Sequence, residues 1–198
     1  MNIITCLFTL AILLGGGPLE TQATLEQRIE EIFFVNDDAG ENYDRRGKIL
    51  ELGHPEEVKA ILLSMVERYK HAKGGTREVR LLTGATVTLG DLSERRALAP
   101  LSSILLDRKV DITVRGCAAR SLGQIDPDGT KQTLLTALKN KANMFFIRLE
   151  AAKALVKTND PQVLQVLEQA SRTEKDAYVR QQLDKSAQEL RRRIQRPQ

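Results

Sequence analysis

The sequence predicts an all-α chain, an α-solenoid (superhelix) of about five stacked antiparallel helical hairpins. Three observations carry that reading. Residues 111–138, DITVRGCAARSLGQIDPDGTKQTLLTAL, read as helix, tight turn and helix. The same grammar returns every 32–35 residues on both sides. The chain of 198 residues also has no Trp and only 4% aromatics. Leu, Val, Ile and Ala must therefore fill the core, which suits stacked helices better than a sheet sandwich.

Within the central unit, Val114, Cys117, Ala118, Ser121, Leu122 and Ile125 recur at offsets of three and four, the spacing of a helical stripe. Ala118 and Ala119 are small enough to let a neighbouring helix approach to roughly 8–10 Å between axes. Asp111 stands where a carboxylate can cap the first turn. Asp126-Pro127-Asp128-Gly129 then breaks the chain, because Pro127 disfavours helix at the residue before it and Gly129 tolerates a left-handed turn. Leu134, Leu135 and Leu138 belong to the following helix.

An apolar residue followed by arginine recurs at Val79-Arg80, Val114-Arg115, Ile147-Arg148 and Val179-Arg180, at steps of 35, 33 and 32. Ala118 and Ala151 each lie three past their arginine, and Leu122 and Leu155 seven past. Arg45 followed by Leu52-Gly53 repeats the seven-residue offset 35 residues upstream of Arg80. A period of this length signals stacked repeats. On these residues, with Ala119, Gly123, Ala152 and the Asp-Pro pairs at 126–127 and 160–161, the chain resembles the HEAT-repeat family, closest to the short repeats of phycobilisome lyases. The resemblance implies a ladder between repeats in which each arginine pairs with an acid about four residues earlier. Asp111 and Asp176 fit that pattern, and Asn143 and Thr76 match it less well.

The elements follow in order. Ile3 to Leu14 is an apolar run too short to span a bilayer comfortably. Gly15-Gly16-Gly17-Pro18 ends it, and Thr21-Gln22-Ala23 offers small residues at the positions a signal peptidase reads. Residues 1–23 are therefore expected to be a secretory leader, with an uncleaved anchor as the alternative, and residues 24–198 the repeat domain. Thr24 is the expected cap of the first helix, whose stripe is Leu25, Ile29, Ile32 and Phe33. Residues 36–42 read as an acidic loop. Its Asp37, Asp38 and Glu41 lack the alternation of a calcium loop. A helix is expected over 43–52, ending at Gly53.

Pro55-Glu56-Glu57 starts the next helix, with proline in the first turn and acids at the positive end of the dipole. Residues 76–90 are expected to be helical because the repeat phase requires it, although Gly84 and the Thr-Val-Thr run at 86–88 favour a strand locally. Leu98, Leu101, Ile104 and Leu105 carry the helix before the central unit, with Pro100 near its first turn. Helices over 144–156, 161–170 and 176–193 complete the array.

Little in the chain points to catalysis. Its two histidines, His54 and His71, stand in separate contexts, and no HExxH, CxxC or phosphate loop is present. No catalytic residue, metal or cofactor is therefore expected. Once a leader is removed only Cys117 remains. It cannot form an intramolecular disulfide, and its place on the apolar stripe predicts a buried, inert thiol. Iron-dependent hydroxylases with similar repeats bind metal through His-Glu pairs, whereas here the histidines precede Pro55 and Ala72. Bilin lyases are similar too, but they act in the cytosol.

The resemblance implies that the helix following each Val-Arg lines a concave face. Five residues past three successive arginines stand Arg120, Lys153 and Lys185. Stacking would set them about 10 Å apart in a basic row suited to an acidic peptide. The expected function is thus a non-enzymatic, exported scaffold or adaptor that binds a protein or peptide. The alternative is a lyase- or chaperone-like subunit acting on a chromophore or its carrier protein. Nucleic acid is not the expected partner. Membrane contact is expected only through an uncleaved N-terminus or the basic tail at Arg191, Arg192, Arg193 and Arg196.

Overall fold

The computed structural model describes residues 18–34 and 44–195, with side chains from residue 25 onward. The proposed leader run 3–14, the acidic loop 36–42 and Arg196 lie outside them. Ten α-helices and two short 3-10 turns make up the described residues, with no strand among them. The helices are α1 (Pro18–Phe34), α2 (Arg45–Glu51), α3 (Pro55–Tyr69), α4 (Arg77–Asp91) and α5 (Leu98–Leu106). They continue as α6 (Ile112–Ile125), α7 (Lys131–Lys139), α8 (Phe145–Leu155), α9 (Pro161–Thr173) and α10 (Ala177–Gln195).

The chain divides into two compact units, Met1–Ile61 and Leu62–Gln198. In the first, α1 packs on α2. Leu25, Ile29 and Phe33 bury one stripe of α1, and Ile49 is the buried residue of α2. The expectation that Thr24 caps α1 fails. The helix already begins at Pro18, which suits a first turn because it has no N–H to leave unpaired, so Thr24 lies inside it. Asp44 caps α2 through a 2.8 Å bond from the Gly47 N–H. Gly53 (φ +73°) and His54 (φ +50°) take left-handed backbone between α2 and α3.

In the second unit the even-numbered helices stack in one layer, α4 on α6, α6 on α8 and α8 on α10. Each of α6, α8 and α10 is backed by the helix preceding it, α5, α7 or α9, so that three hairpins lie side by side. The caps explain where these helices start. Asp111 accepts from Thr113 N–H at 2.8 Å, Asp160 from Gln162 N–H at 2.8 Å and Asp176 from Val179 N–H at 2.9 Å.

The segment with the weakest local preference for helix, 76–90, is helical, and its second half is deeply enclosed. Thr76 caps it, and Leu81, Leu82, Ala85, Thr86, Thr88 and Leu89 are each at most 1% exposed. Tertiary burial overrides the β preference of its Thr-Val run. Close approach completes the layer. A Cβ on Gly123 would stand 2.4 Å from Ala154 Cβ, and one on Gly116 would stand 2.1 Å from the Phe146 ring.

Candidate partner-binding face

The layer formed by α6, α8 and α10 presents a face that repeats in phase. Thr113, Cys117, Arg120 and Gln124 on α6 correspond to Phe146, Glu150, Lys153 and Lys157 in and just after α8. On α10 the same phase holds Tyr178, Gln182, Lys185 and Glu189. The steps within each set are four, three and four residues, so each set occupies one side of its helix. Arg120, Lys153 and Lys185 are all exposed, one per stacked helix.

Their surroundings differ. Lys153 Nζ is tied to Glu150 Oε1 at 2.6 Å, and the Glu150 side chain is 11% exposed. Arg120 and Lys185 form no ion pair among the described residues. The row does not continue onto α4, where the residue in phase is the fully buried Ala85. Tyr178 and Phe146 lie seven residues before Lys185 and Lys153, so an aromatic ring accompanies a cation on α8 and on α10.

Cys117 shares this phase and is half-buried, where an enclosed thiol was expected. The small side of the stripe, Ala118 and Ala119, is what packs inside. His54 and His71 are both exposed. Among the described residues no group of three or more His, Cys, Asp or Glu side chains could hold a metal ion, and no helix is long and apolar enough to cross a membrane.

The arginine ladder exists, but with other partners than the spacing suggested. Arg115, only 5% exposed, donates through Nη2 to Asn143 Oδ1 at 2.7 Å and through Nε to the Leu105 carbonyl at 3.0 Å. Arg148 pairs with Glu174. In both cases the acceptor belongs to the turn before the next stacked helix, 28 and 26 residues on. Asp111 and Asp176, four residues before Arg115 and Arg180, cap their own helices instead. Asn143, the poorer match by sequence, is the rung that holds Arg115.

A second ladder, which the sequence reading missed, joins the starts of the outer helices. Arg95 bonds Asp126 at 2.8 Å, and Lys131 bonds Asp160 at 2.6 Å. The signal was available in the two Asp-Pro pairs. Each aspartate caps its own turn through one oxygen, accepting from Gly129 and Gln162 N–H, and receives the preceding repeat's cation through the other.

Residues 98–188 match the family model of HEAT repeats. A search of curated proteins finds no match to the chain. The matched stretch begins at α5 and covers its three hairpins nearly to the end, the same stretch over which the arginines bridge consecutive repeats. By that match and that architecture, residues 98–188 are HEAT repeats.

Proposed function

We propose that this chain is a non-enzymatic adaptor, exported from the cytoplasm, that holds an acidic segment of a protein partner along the open face of α6, α8 and α10. HEAT repeats are a protein-interaction scaffold, and stacked helices offer an extended surface for a partner. The observation that carries the reading is the row itself, Arg120, Lys153 and Lys185, exposed at one phase of three successive repeats. Arg120 and Lys185 form no ion pair among the described residues, so a partner carboxylate can pair with them there.

An exposed ion pair contributes about 0.2–1 kcal/mol. Three such contacts give selectivity for an acidic partner more than affinity, and the aromatic rings of Phe146 and Tyr178 supply apolar contact beside them. Export rests on the apolar run 3–14 and the small residues Thr21 and Ala23.

Reversing the row tests the adaptor role. Partners crosslinked to the native chain in the cell envelope are identified first. The R120E/K153E/K185E variant is then expected to lose the acidic partner while keeping its helical circular dichroism. Undiminished capture of the same partner by the folded variant refutes the reading. N-terminal sequencing of the envelope form tests export, with a start at Thr24 as the expected result.

A further inference from the structure

The outer helices are unequal. α5 and α7 have nine residues each and α9 has thirteen, so α9 carries one more turn, about 6 Å, than α7 can cover. Where that turn overhangs, the structure opens a groove of about 410 Å³ between α7 and α9. Its apolar lining is Leu138, Val166 and Ala170, and the cations at its edge are Lys139 and Lys141. Arg148 and Glu174 also line it.

Comparison with the preceding repeat shows what is different here. Arg115 closes its hairpin by donating Nε to the carbonyl of Leu105. The residue in phase with Leu105 is Leu138, yet Arg148 Nε is buried with no hydrogen-bond partner. Arg148 instead reaches Glu174, which also accepts from the N–H groups of Lys175 at 3.0 Å and Asp176 at 3.2 Å. The one acid lining the groove is thereby occupied. Lys139 and Lys141 are exposed and form no ion pair among the described residues. Met144 and Phe145, at the start of α8, are exposed by 49% and 47%. An apolar groove edged by two unneutralised lysines describes a docking surface.

We infer that the α7–α9 groove is a second protein-binding site, which takes a short partner segment carrying a carboxylate next to a large apolar side chain. The apolar side chain enters against Leu138, Val166 and Ala170, and the carboxylate meets Lys139 and Lys141. The site shares no residue with the row Arg120, Lys153 and Lys185, so the two readings stand or fall separately. Charge complementarity selects the occupant. With Glu174 neutralised by Arg148, the groove edge carries an excess of positive charge, which attracts an acidic segment and repels a basic one.

Fluorescence anisotropy with the full chain and a fluorescein-labelled peptide of alternating Leu and Glu tests this. Saturable binding is expected, weakened at least tenfold by K139E/K141E and abolished by A170W, which fills the groove from its half-buried wall. R120E/K153E/K185E should stay within twofold of the native chain. A peptide with Lys for Glu should not bind.

Four results with the peptide overturn the inference. They are absence of saturable binding, binding unchanged in folded K139E/K141E or A170W, equal binding of the Lys peptide, and loss of binding in R120E/K153E/K185E alone. The last would assign the peptide to the basic row. Sedimentation with phosphatidylserine vesicles separates a membrane surface from a peptide. Vesicle binding that K139E/K141E removes, with no peptide binding, also overturns the inference.

Discussion

Arg115 shows what one residue contributes to a stack. Burial is the main influence lowering its pKa, followed by repulsion from Arg108, while Asp107 acts in the opposite direction. The guanidinium remains charged because an arginine starts far above neutral pH. Its hydrogen bonds to the Leu105 carbonyl and to Asn143 join the outer helix of its own hairpin to the turn of the next. Asn143 in turn donates Nδ2–H to the Ala137 carbonyl at 2.9 Å, so the rung extends into α7. Arg115→Ala leaves buried acceptors unpaired and should cost about 2–3 kcal/mol in urea unfolding. Arg115→Lys should recover only part of that, since an ammonium cannot span two acceptors set by a planar fork. The arginine itself was legible in the sequence because it keeps phase with its neighbours. Its partner was not, because any acceptor in the next turn serves, an amide in one repeat and a carboxylate in the other.

Among the elements, the contact of α6 with α8 depends on the absence of side chains at particular sites. Gly123 faces Ala154 so closely that an added Cβ would also stand 2.8 Å from the Ala154 backbone. Backbone cannot move aside as a flexible side chain can, so the two helices would have to separate. Gly123→Ala should lose about 1–3 kcal/mol to overpacking, even after the better helix propensity of alanine is counted. Gly75→Ala, where nothing lies within 4 Å, should be nearly neutral and controls for the general effect of the substitution. Thermal unfolding of the two variants side by side provides the comparison. Apolar periodicity found most of the helices, and the repeat phase found α4 against its local preference. It could not find these contacts, because a stripe analysis scores what a residue buries and passes over what a glycine leaves open. For the same reason the α7–α9 groove was not legible. It arises from one additional turn of α9, and element ends are where sequence patterns are weakest.

For the unit Leu62–Gln198, the two ladders make stability depend on pH, and the sign follows from the carboxylates. Lys131's hydrogen bond and the Gln162 N–H hold Asp160 below the usual carboxylate range. The Gly129 N–H does the same for Asp126, with help from Arg95. Burial pushes Glu174 up, but its hydrogen bond from Arg148, the N–H groups of Asp176 and Lys175, and Arg148's charge together outweigh it, so it too is lowered. A carboxyl lowered in the folded state stabilises fully above its unfolded pKa and loses that contribution as pH falls through its folded pKa. The melting temperature should therefore hold near neutrality and fall as pH drops below about 4.5, the upper end of the carboxylate range. Arg95 is 72% exposed, so its bridge to Asp126 contributes little, whereas the side chains of Arg148 and Glu174 are 13% and 12% exposed. Glu174→Gln should accordingly lower the melting temperature at pH 7 and flatten its decline in acid, while Asp126→Asn should change the acid slope much less. Equal acid slopes for Glu174→Gln and the native chain would mean that the cross-repeat pairs do not set the acid stability of the stack, and that the apolar contacts among α4, α6, α8 and α10 hold it without them.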